Sequence, residues 1–156
     1  MLPIVLAMPL SVIGFSFVLI ALLMLVAYID FVTFRIPDAV SLAIFVTGNA
    51  AIGWINAALF PTHLAASVFA GFAFWLVGEV LFLRSGTEML GIGDAKLFGT
   101  GAMWVGILGL PSVLSVAALT GIANAVIAKR HAKRVPFGPF IGVGVLTVWL
   151  YGPIGF

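Results

Sequence analysis

The sequence predicts an all-α, polytopic membrane protein of about six transmembrane helices, with both termini outside. Three observations predict it. First, 63% of the residues are hydrophobic and only 8% are charged, against about 45–50% and about 25% in a soluble domain. The mean hydropathy of +1.31 agrees. Second, at about 20 residues per spanning helix, 156 residues make roughly six spans with short loops. On that arithmetic residues 1–156 form a single transmembrane domain with no room for a soluble module. Third, the basic residues fall on alternate loops.

The first helix is expected from about Leu10 to Ile29, because Pro3 and Pro9 break the regular helix before it. It lacks the basic start and small-residue cleavage site of a signal peptide. The second runs from about Ala39 to Leu59, and Phe60-Pro61-Thr62-His63 is expected to turn the chain. The third covers about Leu64 to Leu83. The fourth starts near Asp94 and ends before Pro111. The fifth covers Ser112 to Ala128 and the sixth Phe137 to Tyr151. The last two are short, which implies local thinning of the bilayer or a site sunk into its surface.

Arg35, Arg84, Lys96, Lys129, Arg130, Lys133 and Arg134 all fall on one side of this arrangement. The positive-inside rule makes that side cytoplasmic. Asp30, Asp38, Glu79, Glu88 and Asp94 gather at the same face, which points to a site there. The chain has no cysteine, so disulfides, thiolate nucleophiles and cysteine-held metals are excluded. His63 and His131 stand far apart with no H-E-x-x-H, so a zinc peptidase of that kind is not expected. The net charge of +2 gives no reason to expect nucleic acid.

Three segments carry the chemistry. In Tyr28 to Asp38, Asp30 closes a long apolar span. In Gly91-Ile92-Gly93-Asp94-Ala95-Lys96-Leu97, two glycines precede an aspartate that opens a helix. Val135-Pro136-Phe137-Gly138-Pro139-Phe140 enters the last helix. An ionisable group at the edge of a span is costly and is a functional-site hypothesis by default. Two aspartates brought together can serve as base and acid on one water, activating it toward a peptide carbonyl. Glycines before Asp94 would let a substrate strand come close to the backbone.

Gly-Ile-Gly-Asp-Ala-Lys-Leu resembles the G-x-G-D-x-K-L signature of the type IV prepilin peptidases. Asp30 followed by Arg-Ile-Pro-Asp is similar to the other aspartate region of that family, and Pro-Phe-Gly-Pro-Phe to its C-terminal motif. The three motifs occur in the family's order between Asp30 and Gly144. The resemblance implies an intramembrane aspartyl endopeptidase of the cytoplasmic (inner) membrane, with Asp30 and Asp94 catalytic and no metal or cofactor. Its partners would be a prepilin or prepseudopilin substrate and membrane lipid, with cleavage of a short basic leader at the cytoplasmic face. Gly91, Gly93, Lys96, Glu88, Pro136, Gly138 and Pro139 would support the site or bind substrate. The zinc-binding N-terminal loop of the larger bacterial enzymes has no counterpart here. The chain therefore looks like the peptidase-only form found with Flp (Tad-type) pili, without methyltransferase activity. An acid often found two residues after the first aspartate is replaced by Val32. The alternatives are an archaeal-type preflagellin peptidase, another G-x-G-D intramembrane protease, or a small non-enzymatic transporter.

Plainer roles stand beside these. Asp94 can cap the fourth helix, and Asp38 is expected to cap the second. Asp30 can pair with Arg35, with Asp38 then the partner of Asp94, and Glu79 can pair with Arg84 or Lys96 or help bind the basic leader. Lys96 can act on Asp94 or reach the interface. The run from Lys129 to Arg134 reads as a topology signal and lipid contact. His63 reads as a solvated turn residue. Asn49, Asn56 and Asn124 are expected to bond between helices, and the four tryptophans to pack or anchor at interfaces.

Overall fold

The computed structural model describes residues 10–87, 90–127 and 136–153, and all secondary structure among them is helical. The elements are α1 (Leu10–Thr33), α2 (Asp38–Asn56), α3 (Phe60–Ser85), α4 (Ile92–Ile127) and α5 (Gly138–Tyr151), with a short 3₁₀ turn, Ala57–Leu59, before α3. α1, α4 and the joined stretch Asp38–Ser85 are each long and apolar enough to cross a membrane. Much of the outer surface is apolar: Leu10, Trp54, Leu83 and Ile127 are all largely exposed. A surface of that kind suits lipid rather than water.

Helix ends follow local chemistry. Pro61 does not turn the chain as expected; it lies in the first turn of α3, where the missing N–H costs nothing. The turn falls instead at Asn56, whose side chain accepts a hydrogen bond from Ala58 N–H at 3.2 Å. That is a local cap rather than the expected bond between helices. Asn49 likewise donates to Phe45 of its own helix.

The expected break before Pro111 falls at Gly106. There φ is 68° and ψ 179°, a left-handed backbone that suits glycine. Pro111 sits early in the following helical stretch, where proline is tolerated. Neighbours across the bundle give the direction of each stretch. Gly93 approaches Ile36, which also approaches Gly138, and Gly101 faces Val145. Residues 92–105 therefore run parallel to α5. Past the break, Gly109 faces Val148, Gly144 faces Val113 and Gly121 faces Phe140, so 107–127 runs antiparallel to α5. Gly106 thus reverses the chain. The His63 ring covers it, with Nδ1 2.9 Å from the Met103 carbonyl oxygen. His63 is a packing residue of α3, not the solvated turn residue the sequence implied.

The core lies among α1, α2, α4 and α5, around Leu19, Ile44, Leu97, Trp104, Ile141 and Val145. Trp104 donates to the Ile44 carbonyl at 2.9 Å, and Trp149 to Ser16 Oγ at 2.9 Å. Each buried indole N–H is thereby satisfied, as a dry interior requires.

Candidate active site

The end of α1 and the starts of α2, α4 and α5 meet at one end of the bundle. Asp30 lies in the last turn of α1 and is 4% exposed. Its Oδ2 accepts a hydrogen bond from Gly138 N–H at 3.1 Å. Gly138 is the first residue of α5, so this N–H has no partner within its own helix, and a carboxylate suits the positive end of the helix dipole. A Cβ at position 138 would stand 2.7 Å from Oδ2. Only glycine leaves room for that carboxylate.

After Asp30 the backbone turns sharply. Phe34 N–H donates to the Asp30 carbonyl at 2.9 Å, and Phe34 takes φ 53°. A bulky residue in that region is strained. The turn brings Ile36 back over the site. Cβ atoms added at Gly93 and at Gly138 would each lie 3.1 Å from the Ile36 side chain. Ile36 is therefore a wedge between the start of α4 and the start of α5.

Asp94 occupies the first turn of α4. Its N–H donates to the Gly91 carbonyl at 3.1 Å, and its carboxylate folds back on Gly91, with Oδ2 3.3 Å from where a Gly91 Cβ would stand. Asp30 and Asp94 share this end of the bundle: Ile36 lies against Gly93, next to Asp94, and against Gly138, whose N–H holds Asp30. The α1 and α4 backbones stand apart: α1 runs beside α2 and α5, and α4 beside α2, α3 and α5. The Asp30–Gly138 bond and the Ile36 wedge tie the end of α1 to the starts of α4 and α5.

The other expected residues divide. Gly91, Gly93 and Gly138 line or enclose this site, and Pro139 is buried in the first turn of α5. Pro136 leads into that helix and is half-buried. Lys96 turns away: its Nζ pairs with Asp38 Oδ1 at 2.7 Å. This corrects two readings, because the N-cap of α2 is Pro37 and the Asp38 carboxylate accepts from Lys96. Among the described residues it is the one ion pair, so neither the Asp30–Arg35 pair nor a Glu79 pair forms. Glu79 instead lines a cavity of about 140 Å³ with Phe74, Trp75, Phe82, Gly91 and Ile92 among its walls. Glu88 and the basic run at Lys129, Arg130, Lys133 and Arg134 lie outside the described residues, as does His131.

Ile36 was not singled out from the sequence. Its only signal was its place beside Pro37 in the first segment, and its contacts reach residues far along the chain.

The sequence profile of the type IV leader peptidase family matches residues 17–126. The chain belongs to that family. It is similar to the "Type 4 prepilin-like proteins leader peptide-processing enzyme" of Escherichia coli O78:H11, at 36% identity over 74% of this chain and 44% of that protein. It is similar also to the "Prepilin leader peptidase/N-methyltransferase" of Dichelobacter nodosus, at 34% identity over 92% of this chain and 50% of that protein. The protein of the same name from Escherichia coli K12 is 31% identical over 84% of this chain and 60% of its own length. The chain spans about half the length of the curated relatives it matches. No solved structure matches it. Membership in the leader peptidase family makes the junction of α1, α4 and α5 the candidate active site, since it unites the three segments that carry the motifs.

Proposed function

We propose that this chain is an intramembrane aspartyl endopeptidase that removes the leader from type IV prepilins, of the Flp type. The observation that carries the reading is the meeting of Asp30 and Asp94. They come from different helices; the Asp30 carboxylate accepts from Gly138 N–H, and the Asp94 carboxylate folds back on Gly91. A lone structural acid would not require a second acid beside it, since like charges destabilise each other.

One carboxylate takes a proton from a water molecule, and the water oxygen attacks the scissile carbonyl. The other, protonated, gives its proton to the departing amine as the C–N bond breaks. Both groups then exchange protons with solvent to restore the starting state. Asp30, buried against the α5 N-terminus, keeps its geometry through its bond to Gly138. Asp94 follows an exposed glycine at position 91, where a substrate strand has access. Arg35, Arg84 and Lys96 share this end of the bundle, which supports a cytoplasmic site in a cytoplasmic membrane. The Glu79 cavity beside Gly91 would receive a basic leader residue against its carboxylate and aromatic walls.

The experiment is coexpression with a prepilin, reading the mobility shift of leader removal. Wild type processes the prepilin, and Asp30→Asn and Asp94→Asn do not. Processing at the wild-type rate by either variant would remove that residue from the mechanism.

A further inference from the structure

Contacts between α3 and the first stretch of α4 fix the height of α3 against Asp94. His63 Nδ1 lies 2.9 Å from the Met103 carbonyl oxygen. Ser67 Oγ donates to the Gly99 carbonyl at 2.7 Å. A Cβ at Gly71 would stand 3.8 Å from the Ala95 carbonyl oxygen. Each step of four residues along α3 matches four residues back along α4. The two helices are therefore antiparallel, and Phe72 is level with Asp94. Yet α3 continues to Ser85, about 20 Å past that level at 1.5 Å per residue. Its last turn carries Arg84, so this extension rises on the basic side of the protein.

Glu79 stands on the extension, about 10 Å beyond the level of Asp94. Helical side chains lean toward the helix N-terminus, which here is back toward Asp94. Glu79 lines the cavity of about 140 Å³, with Phe74, Trp75, Phe82 and Gly91 among its neighbours there. Gly91 also receives the Asp94 carboxylate, so the cavity and that aspartate share one wall. Glu79 makes no ion pair among the described residues. A carboxylate among aromatic rings, with no cation of its own, is complementary to a lysine or arginine side chain.

We propose that Glu79 is a specificity-determining residue that reads one basic side chain at a fixed place in the substrate, the second or third residue before the scissile bond. This register rests on the peptidase reading and adds a position to it. A strand entering the site at Gly91 with its scissile bond at Asp94 runs outward beside the α3 extension. An extended strand advances about 3.3 Å per residue. Two to three residues cover the rise to the Glu79 carboxylate, once the backward lean of its side chain is included. A basic residue next to the bond falls short of the cavity, and one four or more residues away passes beyond it.

The test is a lysine scan of the leader. A single lysine is moved through the five positions before the scissile bond of a prepilin, with the other leader residues uncharged. KM and kcat are then measured with the purified full chain. For wild type, lysine at the second or third position gives a KM about three- to tenfold lower than at the other positions, with kcat little changed, as a binding contact requires. Glu79→Gln loses that preference and gives one KM for all five substrates. Glu79→Lys prefers glutamate over lysine at the same position. A preference centred elsewhere in the leader, or one that survives in Glu79→Gln, would overturn the proposal while leaving the peptidase reading intact. Absence of any cleavage by wild type, including of the prepilin with its natural leader, would overturn the peptidase reading and this register with it.

Discussion

Asp30 and Asp38 stand eight positions apart at the same end of the bundle, yet they are handled in opposite ways. Asp30 is buried at 4% exposure, and its carboxylate is held by a backbone amide from the far end of the chain. The Asp38 side chain is 76% exposed and paired with Lys96. A buried carboxylate held in place near a second carboxylate is a candidate for chemistry, the role proposed for Asp30. An exposed ion pair contributes only about 0–1 kcal/mol. Placement at a helix end does not distinguish the two; the partner does.

The comparison can be broken by substitution. Asp30→Asn and Asp94→Asn should each lower cleavage on the order of 10²–10⁴-fold, the usual worth of general acid–base catalysis, measured as initial rates on a prepilin. Next comes Gly138→Ala. A Cβ 2.7 Å from Asp30 Oδ2 must push that carboxylate away, and a misplacement near 1 Å costs about 10²-fold. Kinetics should show kcat falling, with thermal stability lowered as well. Ile36→Ala and Gly93→Ala should each cost about tenfold by the same misplacement, one by loosening the wedge and the other by crowding it. Together they should partly restore the rate, because the new methyl refills part of the space Ile36 vacates. Independent, additive losses would show that Ile36 does not act as that wedge. Glu79→Gln should raise KM several-fold with little change in kcat, as loss of a binding contact requires. The smallest effect on rate belongs to the other end of the molecule. Gly106→Ala should destabilise the fold by about 1–3 kcal/mol, because φ 68° with ψ 179° is essentially open to glycine alone, with the rate per folded molecule unchanged.

The sequence made the all-helical membrane class legible, because composition and hydrophobic run length act locally. The three motif segments were legible too, and the structure brings all three together. What the sequence hid depends on contacts far along the chain. Pro111 seemed the natural break, but proline is harmless early in a helix, and the reversal sits at Gly106 under His63. Asp38 looked like a helix cap, since Asp favours that position, but Lys96 competes for it from 58 positions away. The wedge at Ile36 depends on glycines at 93 and 138, and no local pattern marks it. Asp30 was singled out for its cost at the end of a span, and that cost is offset by Gly138, which the sequence placed in a separate motif.

The central claim is that Asp30 and Asp94 work as one unit. A purified-enzyme cleavage assay on Asp30→Asn, Asp94→Asn and the double variant tests it most directly. Residues acting together are non-additive, so the double variant should be no slower than the slower single variant. Losses that multiply in the double variant, or a single variant that cleaves at the wild-type rate, would contradict the account.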